Sequence, residues 1–269
     1  MITWSAHLST LFQELPPDER PAAAAAAGFT HVETWWPPLP DLDAWCRNVR
    51  DAGLVAACVN ADGGDLAAGE RGFCNVPERA EEAVAAAVAA ARAVTAAGGD
   101  RVNLLVGRRR PGVEPEADLD AARATVVAAA RAVAPLGVTL VIEHLNPVDV
   151  EEPLLPTPAA AAAFVRSVGE ENVRVLFDAY HAAAAGLRPA DELVAVVDLV
   201  GHVQYADHPG RGAPGTGTVS PAELLAVLDE AGYGGAVGLE FVPGADTASA
   251  LGALIGLHQA APFGQVNPQ

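Results

Sequence analysis

The chain has 269 residues, 51% of them hydrophobic, with a formal net charge of -18 and a pI of about 4.6. That length and apolar content suit one α/β barrel of roughly 250 residues. The acidic balance excludes a nucleic-acid footprint, which needs clustered cations to displace counterions from phosphates.

All 16 cations are arginine. The absence of lysine excludes Schiff-base aldolases, pyridoxal-phosphate enzymes and P-loop nucleotide hydrolases, each of which needs that residue.

In chain order, "ITWSAHL" (2–8) reads as a strand and "PPDERPAAAAAAG" (16–28) as a helix with proline near its start and glycine at its end. Strands follow at "HVETWW" (31–36) and "LVAACVN" (54–60), then a helix at 77–99. The alternation continues with a strand "RVNLLVG" (101–107), a helix at 115–137, and a strand "VTLVIEH" (138–144). It closes with a helix "TPAAAAAFVRSVG" (157–169), strands "VRVLFDAY" (173–180) and "LVGHVQYA" (199–206), a helix "SPAELLAVLDEAG" (220–232) and a strand "AVGLEFV" (236–242).

Eight strand runs at this spacing predict eight βα repeats and a parallel sheet closed on itself, a single (β/α)8 TIM barrel over residues 1–260 with a loose tail at 261–269. An open doubly wound sheet is the competing topology. It wants a glycine-rich phosphate turn after the first strand, and "SAHLSTLF" is not one. The alanine runs at 22–27, 83–97 and 159–163 follow from helix propensity between caps and breakers.

Cys46, Cys58 and Cys74 are odd in number and lack CxxC spacing, so they read as reduced packing residues of a cytoplasmic protein. The N-terminus lacks the charged and apolar regions of a signal peptide. No stretch reaches the roughly 20 strongly apolar residues of a membrane span. Barrel surfaces commonly self-associate, which leaves a homo-oligomer open.

Barrel chemistry sits at the C-terminal ends of the strands. Four consecutive strands end on an oxygen donor: Glu143 in "LVIEHLN", Asp178 in "VLFDAYH", Gln204 in "GHVQYAD" and Glu240 in "VGLEFVP". Taken singly, each could cap a helix or pair with a rim arginine. Taken together, they point to a shared site, because neighbouring buried carboxylates cost several kcal/mol per ion unless a cation neutralises them. An all-oxygen set suits Mg²⁺ or Mn²⁺ better than zinc. His181 either helps orient the site or binds a substrate oxygen, or is a satisfied rim histidine. Arg211, the one cation of its loop, is a candidate to hold a substrate carboxylate or hydroxyls. Asp207 and His208 lie beside Gln204 as possible supports.

The segments "DLAAGERG" (65–72), "VNLLVG" (102–107), "IEHLN" (142–146), "FDAYH" (177–181), "GHVQYADHPGRGAPGTG" (201–217) and "GLEF" (238–241) resemble the hydroxypyruvate isomerase family, one of the xylose isomerase-like barrels. The resemblance spans nearly the whole chain. It implies that Glu143 and Glu240 are the proton-transfer pair and that Glu143, Asp178, Gln204 and Glu240 hold a divalent metal. It also draws His7, in "SAHLS", and Glu70, in "AAGERG", into the substrate-binding set with His181 and Arg211. Glutamine at the third ligand position favours this branch over ketose 3-epimerases, which usually carry histidine there. Three departures alter the pocket lining: His144 stands for a usual proline, His7 for a usual asparagine, and "AAAAGL" follows "DAYH".

The expected reaction is the interconversion of hydroxypyruvate and tartronate semialdehyde through an enediolate, on a small-molecule substrate and without nucleic acid or membrane. Isomerisation of a 2-oxo-tetronate or 3-epimerisation of a ketose would use the same site. A non-catalytic sugar-binding barrel is the rival of another class.

Overall fold

The computed structural model describes residues 2–36 and 41–254. Eight parallel strands close into a barrel in sequence order. They are β1 Thr3–His7, β2 His31–Thr34, β3 Val55–Asn60, β4 Arg101–Asn103, β5 Thr139–Glu143, β6 Val173–Asp178, β7 Val200–Tyr205 and β8 Ala236–Leu239. The open-sheet alternative is thereby overturned, since β8 pairs with β1 through Thr3↔Ala236 to Ala6↔Leu239. The expected tail at 261–269 lies outside the described residues.

Helices α1 Arg20–Ala26, α2 Leu42–Asp51, α3 Ala80–Ala96, α4 Pro115–Val133, α5 Pro158–Val168, α6 Ala179–Ala184, α7 Pro189–Val196, α8 Pro221–Glu230 and α9 Thr247–Leu254 connect the strands and follow the last of them. Proline opens α1, α4, α5, α7 and α8, where a missing N–H leaves no bond unmade. Asp41, Thr157, Asp178 and Ser220 cap α2, α5, α6 and α8 by accepting from main-chain N–H groups two or three residues further along the chain. Helices α2, α6, α7 and α9 fall where the sequence reading assigned none. For α2 the signal existed: Trp45, Cys46 and Val49 are buried at helical spacing behind the Asp41 cap.

The alanine runs form inner helix faces. Ala83, Ala87, Ala90, Ala91 and Val94 of α3 are buried, as are Ala122, Val126, Ala129, Ala130 and Val133 of α4. These positions recur every three or four residues, as an inward stripe requires. Among the described residues no helix is long and apolar enough to cross a membrane.

Strand β4 is shorter than expected and stops at Asn103. Beyond it Leu104 still donates to the Val141 carbonyl at 3.0 Å, but Val106 then bridges to Gly72 in the loop after β3. Cys58, Val141 and Leu176 form a small apolar plug inside the barrel. Much of the rest of its interior is polar, and that polarity positions the site described next.

All three cysteines are free and buried. Burial pushes each thiol up, the Cys74 thiol to about 12. A thiol reagent at neutral pH should therefore label none of them in the native protein and all three after denaturation; rapid labelling before unfolding would contradict this packing.

Candidate active site

Each acid arrives at the barrel mouth on a different strand. Glu143 ends β5, Asp178 ends β6, Gln204 is the penultimate residue of β7, and Glu240 follows β8 directly. Parallel pairing sets Asp178 beside Gln204 and Gln204 beside Gly238, so the side chains of neighbouring strands leave the sheet on one face. Glu143, Asp178, Gln204 and Glu240 are 7%, 1%, 2% and 3% exposed.

Asn103 Nδ2 donates to Glu143 Oε2 at 2.7 Å. Asp178 Oδ1 accepts from the Tyr180 main chain at 2.7 Å, while Arg211 Nη2 reaches its Oδ2 at 3.4 Å and Glu240 Oε1 at 2.5 Å. Trp35 Nε1 donates to that same Glu240 oxygen at 3.1 Å. Burial, then the charges of Glu240 and Asp178, push the Glu143 carboxyl well above its ordinary range. Burial also raises the Asp178 carboxyl, against the opposing charge of Arg211.

His181 projects its Nε2 toward the same acids, 3.6 Å from Glu143 Oε1 and 3.7 Å from Asp178 Oδ2. Its Nδ1 accepts from the Asn146 main chain at 3.1 Å, which leaves the proton on Nε2. Burial and the charge of Arg211 lower its pKa to about 3, so the ring is neutral at physiological pH.

Beneath the mouth lies a residue that the sequence reading missed. Glu33, at the register position of His7 and 1% exposed, reaches across the barrel from β2 to β7. Its Oε2 meets His202 Nε2 at 2.7 Å and its Oε1 accepts from Gln204 Nε2 at 2.9 Å. Burial alone pushes this carboxyl up, but the charge and hydrogen bond of His202, with help from His7 and Gln204, hold it below its ordinary range. A partial signal was present: Glu33 is an acid inside a strand run, and His202 precedes Gln204 by two residues, hence on the same strand face, but nothing local pairs the two strands.

His7 forms a second group with Glu33 and Glu240, its Nε2 3.8 Å from Glu240 Oε2. The structure thus gathers the candidates around two foci. Glu143, Asp178 and His181 offer donor atoms within 4.8 Å of one another, as do His7, Glu33 and Glu240. Arg211 joins the foci through Asp178 and Glu240.

A cavity of about 390 Å³ opens above, lined by Glu143, His181, Arg211 and Glu240 together with Trp35, Asn60, Arg71 and the apolar Leu66, Leu105 and Leu145. A larger hollow of about 610 Å³ at the opposite end of the barrel contains none of the gathered acids. His7 is fully buried and is not part of the upper cavity wall.

Glu70 does not line that cavity either. It organises its own loop, accepting from the Asp65 main chain at 2.7 Å and pairing with Arg79 at 2.5 Å. Asp207 plays the equivalent part after β7, where its carboxylate accepts from the main chain of His208, Gly215, Gly217 and Val219.

A closed parallel barrel with an acidic mouth is the architecture of the xylose isomerase-like TIM barrels, and the model of that family matches residues 21–255. A Streptomyces coelicolor protein of the hydroxypyruvate isomerase family is 42% identical over 259 residues, covering 90% of this chain and 91% of its own. A 2-oxo-tetronate isomerase of Cupriavidus necator is 35% identical, covering 94% and 97%. The crystal structure of a Brucella melitensis protein described as AP endonuclease, family 2, has a TM-score of 0.90 and 30% identity, covering 95% of this chain and 99% of that one. The chain belongs to the xylose isomerase-like TIM barrel family and, within it, to the hydroxypyruvate isomerase family.

Gly238 leaves the space that Glu33 occupies: a Cβ there would lie 2.0 Å from Glu33 Oε1. Gly238→Ala should push the carboxylate off His202 and Gln204, destabilising the protein by about 2 kcal/mol or more. Denaturant unfolding reads the change, and an unaltered midpoint would show that the Glu33 contacts are dispensable.

Proposed function

We propose that this chain is a metal-assisted isomerase that interconverts hydroxypyruvate and tartronate semialdehyde. One observation carries the reading: three strand-end carboxylates, Glu143, Asp178 and Glu240, share a buried mouth in which, among the described residues, Arg211 is the one arginine paired with them. Three negative charges against one positive leave two uncompensated, the charge of a divalent cation. Kinship with proteins whose names include 2-oxo-tetronate isomerase supports the reaction class.

Glu143, Asp178, Gln204 and Glu240 would hold the cation, and an all-oxygen set fits Mg²⁺ or Mn²⁺. Gln204 suits the role because its Nε2 is committed to Glu33 while its buried Oε1 has no partner among the described residues. The tautomer of His181 argues against it as a ligand, since the nitrogen facing the acids carries the proton. Bound there, the cation would polarise adjacent carbonyl and hydroxyl oxygens of a substrate and neutralise the acids around it.

The proton transfers belong to Glu143 and Glu240. One carboxylate removes a proton from C3 of hydroxypyruvate and the other returns one to C2, through an enediolate. The hydroxyl proton passes from O3 to O2, so C3 becomes the aldehyde and C2 the carbinol with no atom gained or lost. Arg211 and Trp35 fix Glu240 by its Oε1, and His7 lies 3.8 Å from its Oε2. The Nε2–H of His181 is placed to donate to a substrate oxygen. Leucines 66, 105 and 145 keep the reacting carbons away from bulk water.

The same residues would serve a 2-oxo-tetronate or a ketose with a longer chain, and a substrate panel ranks the three. Phosphodiester cleavage is disfavoured by a chain of net charge -18, which offers no cationic track for a nucleic-acid backbone.

Glu143→Gln and Glu240→Gln should each lower kcat on hydroxypyruvate by about 100- to 10,000-fold while circular dichroism stays unchanged. Full turnover in either variant refutes the pairing. Dialysis against a chelator should abolish turnover and Mn²⁺ or Mg²⁺ should restore it. Undiminished turnover by protein shown to be metal-free would remove the cation from the reaction, and absence of turnover on the whole panel with metal bound would leave the sugar-binding barrel.

A further inference from the structure

The "AAGERG" segment (67–72) is part of the resemblance, yet the reaction above uses none of its residues. It lies in the loop between β3 and α3, and its main chain is tightly held. Gly72 adopts a left-handed conformation, φ +82°, and a Cβ there would lie 1.8 Å from the Leu105 carbonyl oxygen. Gly72 N–H donates to Gly63 at 2.9 Å, and Glu70 closes the turn through Asp65 and Arg79. Arg79 in turn stacks over Phe73 at 3.7 Å and pairs with Glu82.

The charged side chain that this loop presents to the cavity, beside Leu66 and Ala67, is Arg71. Its Nη1 donates to two main-chain carbonyls of its own loop, Leu66 at 3.0 Å and Glu70 at 2.6 Å. Those contacts fix the guanidinium without neutralising it. Among the described residues, Arg71 has no ion pair, and its Nε and Nη2 have no hydrogen-bond partner.

The other cavity arginine is in the opposite condition. Arg211 is committed to Glu240 and Asp178, and it lies over the Tyr180 ring at 4.9 Å. The remaining acid of the wall, Asp149, accepts from Asn146 at 3.0 Å and from the Tyr180 hydroxyl at 2.8 Å. Arg71 is therefore a cation without an ion pair at the cavity wall, and its Nε and Nη2 are placed to receive an anionic group of a ligand.

We propose that Arg71 binds the carboxylate of the substrate, and that through it the pocket selects small hydroxy-keto acids over neutral ketoses of the same length. This assignment rests on the isomerase reading and names its substrate class. It replaces Arg211, the sequence-level candidate for a substrate carboxylate, with a residue whose donors are free. Glu70 becomes a positioning residue that holds the loop from which Arg71 projects.

The test uses the full-length protein and pairs each acid with its neutral counterpart. Hydroxypyruvate is compared with dihydroxyacetone in turnover, and glycerate, which lacks the carbonyl, with glycerol in calorimetric binding. Arg71→Met should raise KM for hydroxypyruvate and Kd for glycerate by about 10- to 100-fold, the scale of a charge-assisted contact. It should change kcat by less than about threefold and leave the neutral compounds unaffected. Arg71→Lys, with charge but no fork, should recover part of the affinity. Equal affinities for glycerate in wild type and Arg71→Met overturn the proposal, as does wild-type protein that binds glycerate no better than glycerol. The two readings fail separately. Loss of glycerate affinity in a protein that isomerises nothing would keep Arg71 and sink the isomerase, whereas turnover with KM unchanged in Arg71→Met would do the reverse.

Discussion

The residues of this barrel are arranged around the cost of keeping anions out of water. Glu33, Glu143, Asp178 and Glu240 are each at most 7% exposed. An uncompensated carboxylate in such surroundings costs several kcal/mol, so most of the polar interior can be understood as its compensation. His202 and Gln204 hold Glu33, Asn103 serves Glu143, and Arg211 spans Asp178 and Glu240. The barrel gives up the branched apolar filling that would stabilise it and keeps a small apolar plug of Cys58, Val141 and Leu176 inside.

Anions and cations are delivered by different kinds of structure. Glu33, Glu143, Asp178 and Glu240 sit at or next to strand ends, where the hydrogen-bonded barrel fixes them. The arginines that face the cavity, Arg71 and Arg211, project from loops closed by their own side-chain clasps, Glu70 in one case and Asp207 in the other. Rigid strands can hold a constellation within tenths of an ångström, while loops can differ between relatives without disturbing it.

The fold was legible because its signals are local. Proline, capping residues and glycine mark helix ends, β-branched runs mark strands, and their alternation implies a closed parallel sheet. The short helices α6 and α7 escaped because each carries less than two or three turns of periodicity, and β4 looked longer because "LLVG" keeps its apolar character after leaving the ladder. Glu143, Asp178, Gln204 and Glu240 were readable as acids or amides after apolar runs. The use of Glu33 was not, because its partners His202 and Gln204 lie 169 and 171 residues away. The parts of Glu70 and Arg71 were likewise hidden, since one residue of difference along a loop decides which side chain faces inward.

The cross-barrel contact of Glu33 also bears on how the chain is made. Strand β2 leaves the ribosome long before β7 has been synthesised, so in that interval neither His202 nor Gln204 exists to receive the carboxylate. A half-built sheet that dried its inner face would strand a bare anion, which favours a nascent N-terminal half that stays hydrated until the second half arrives.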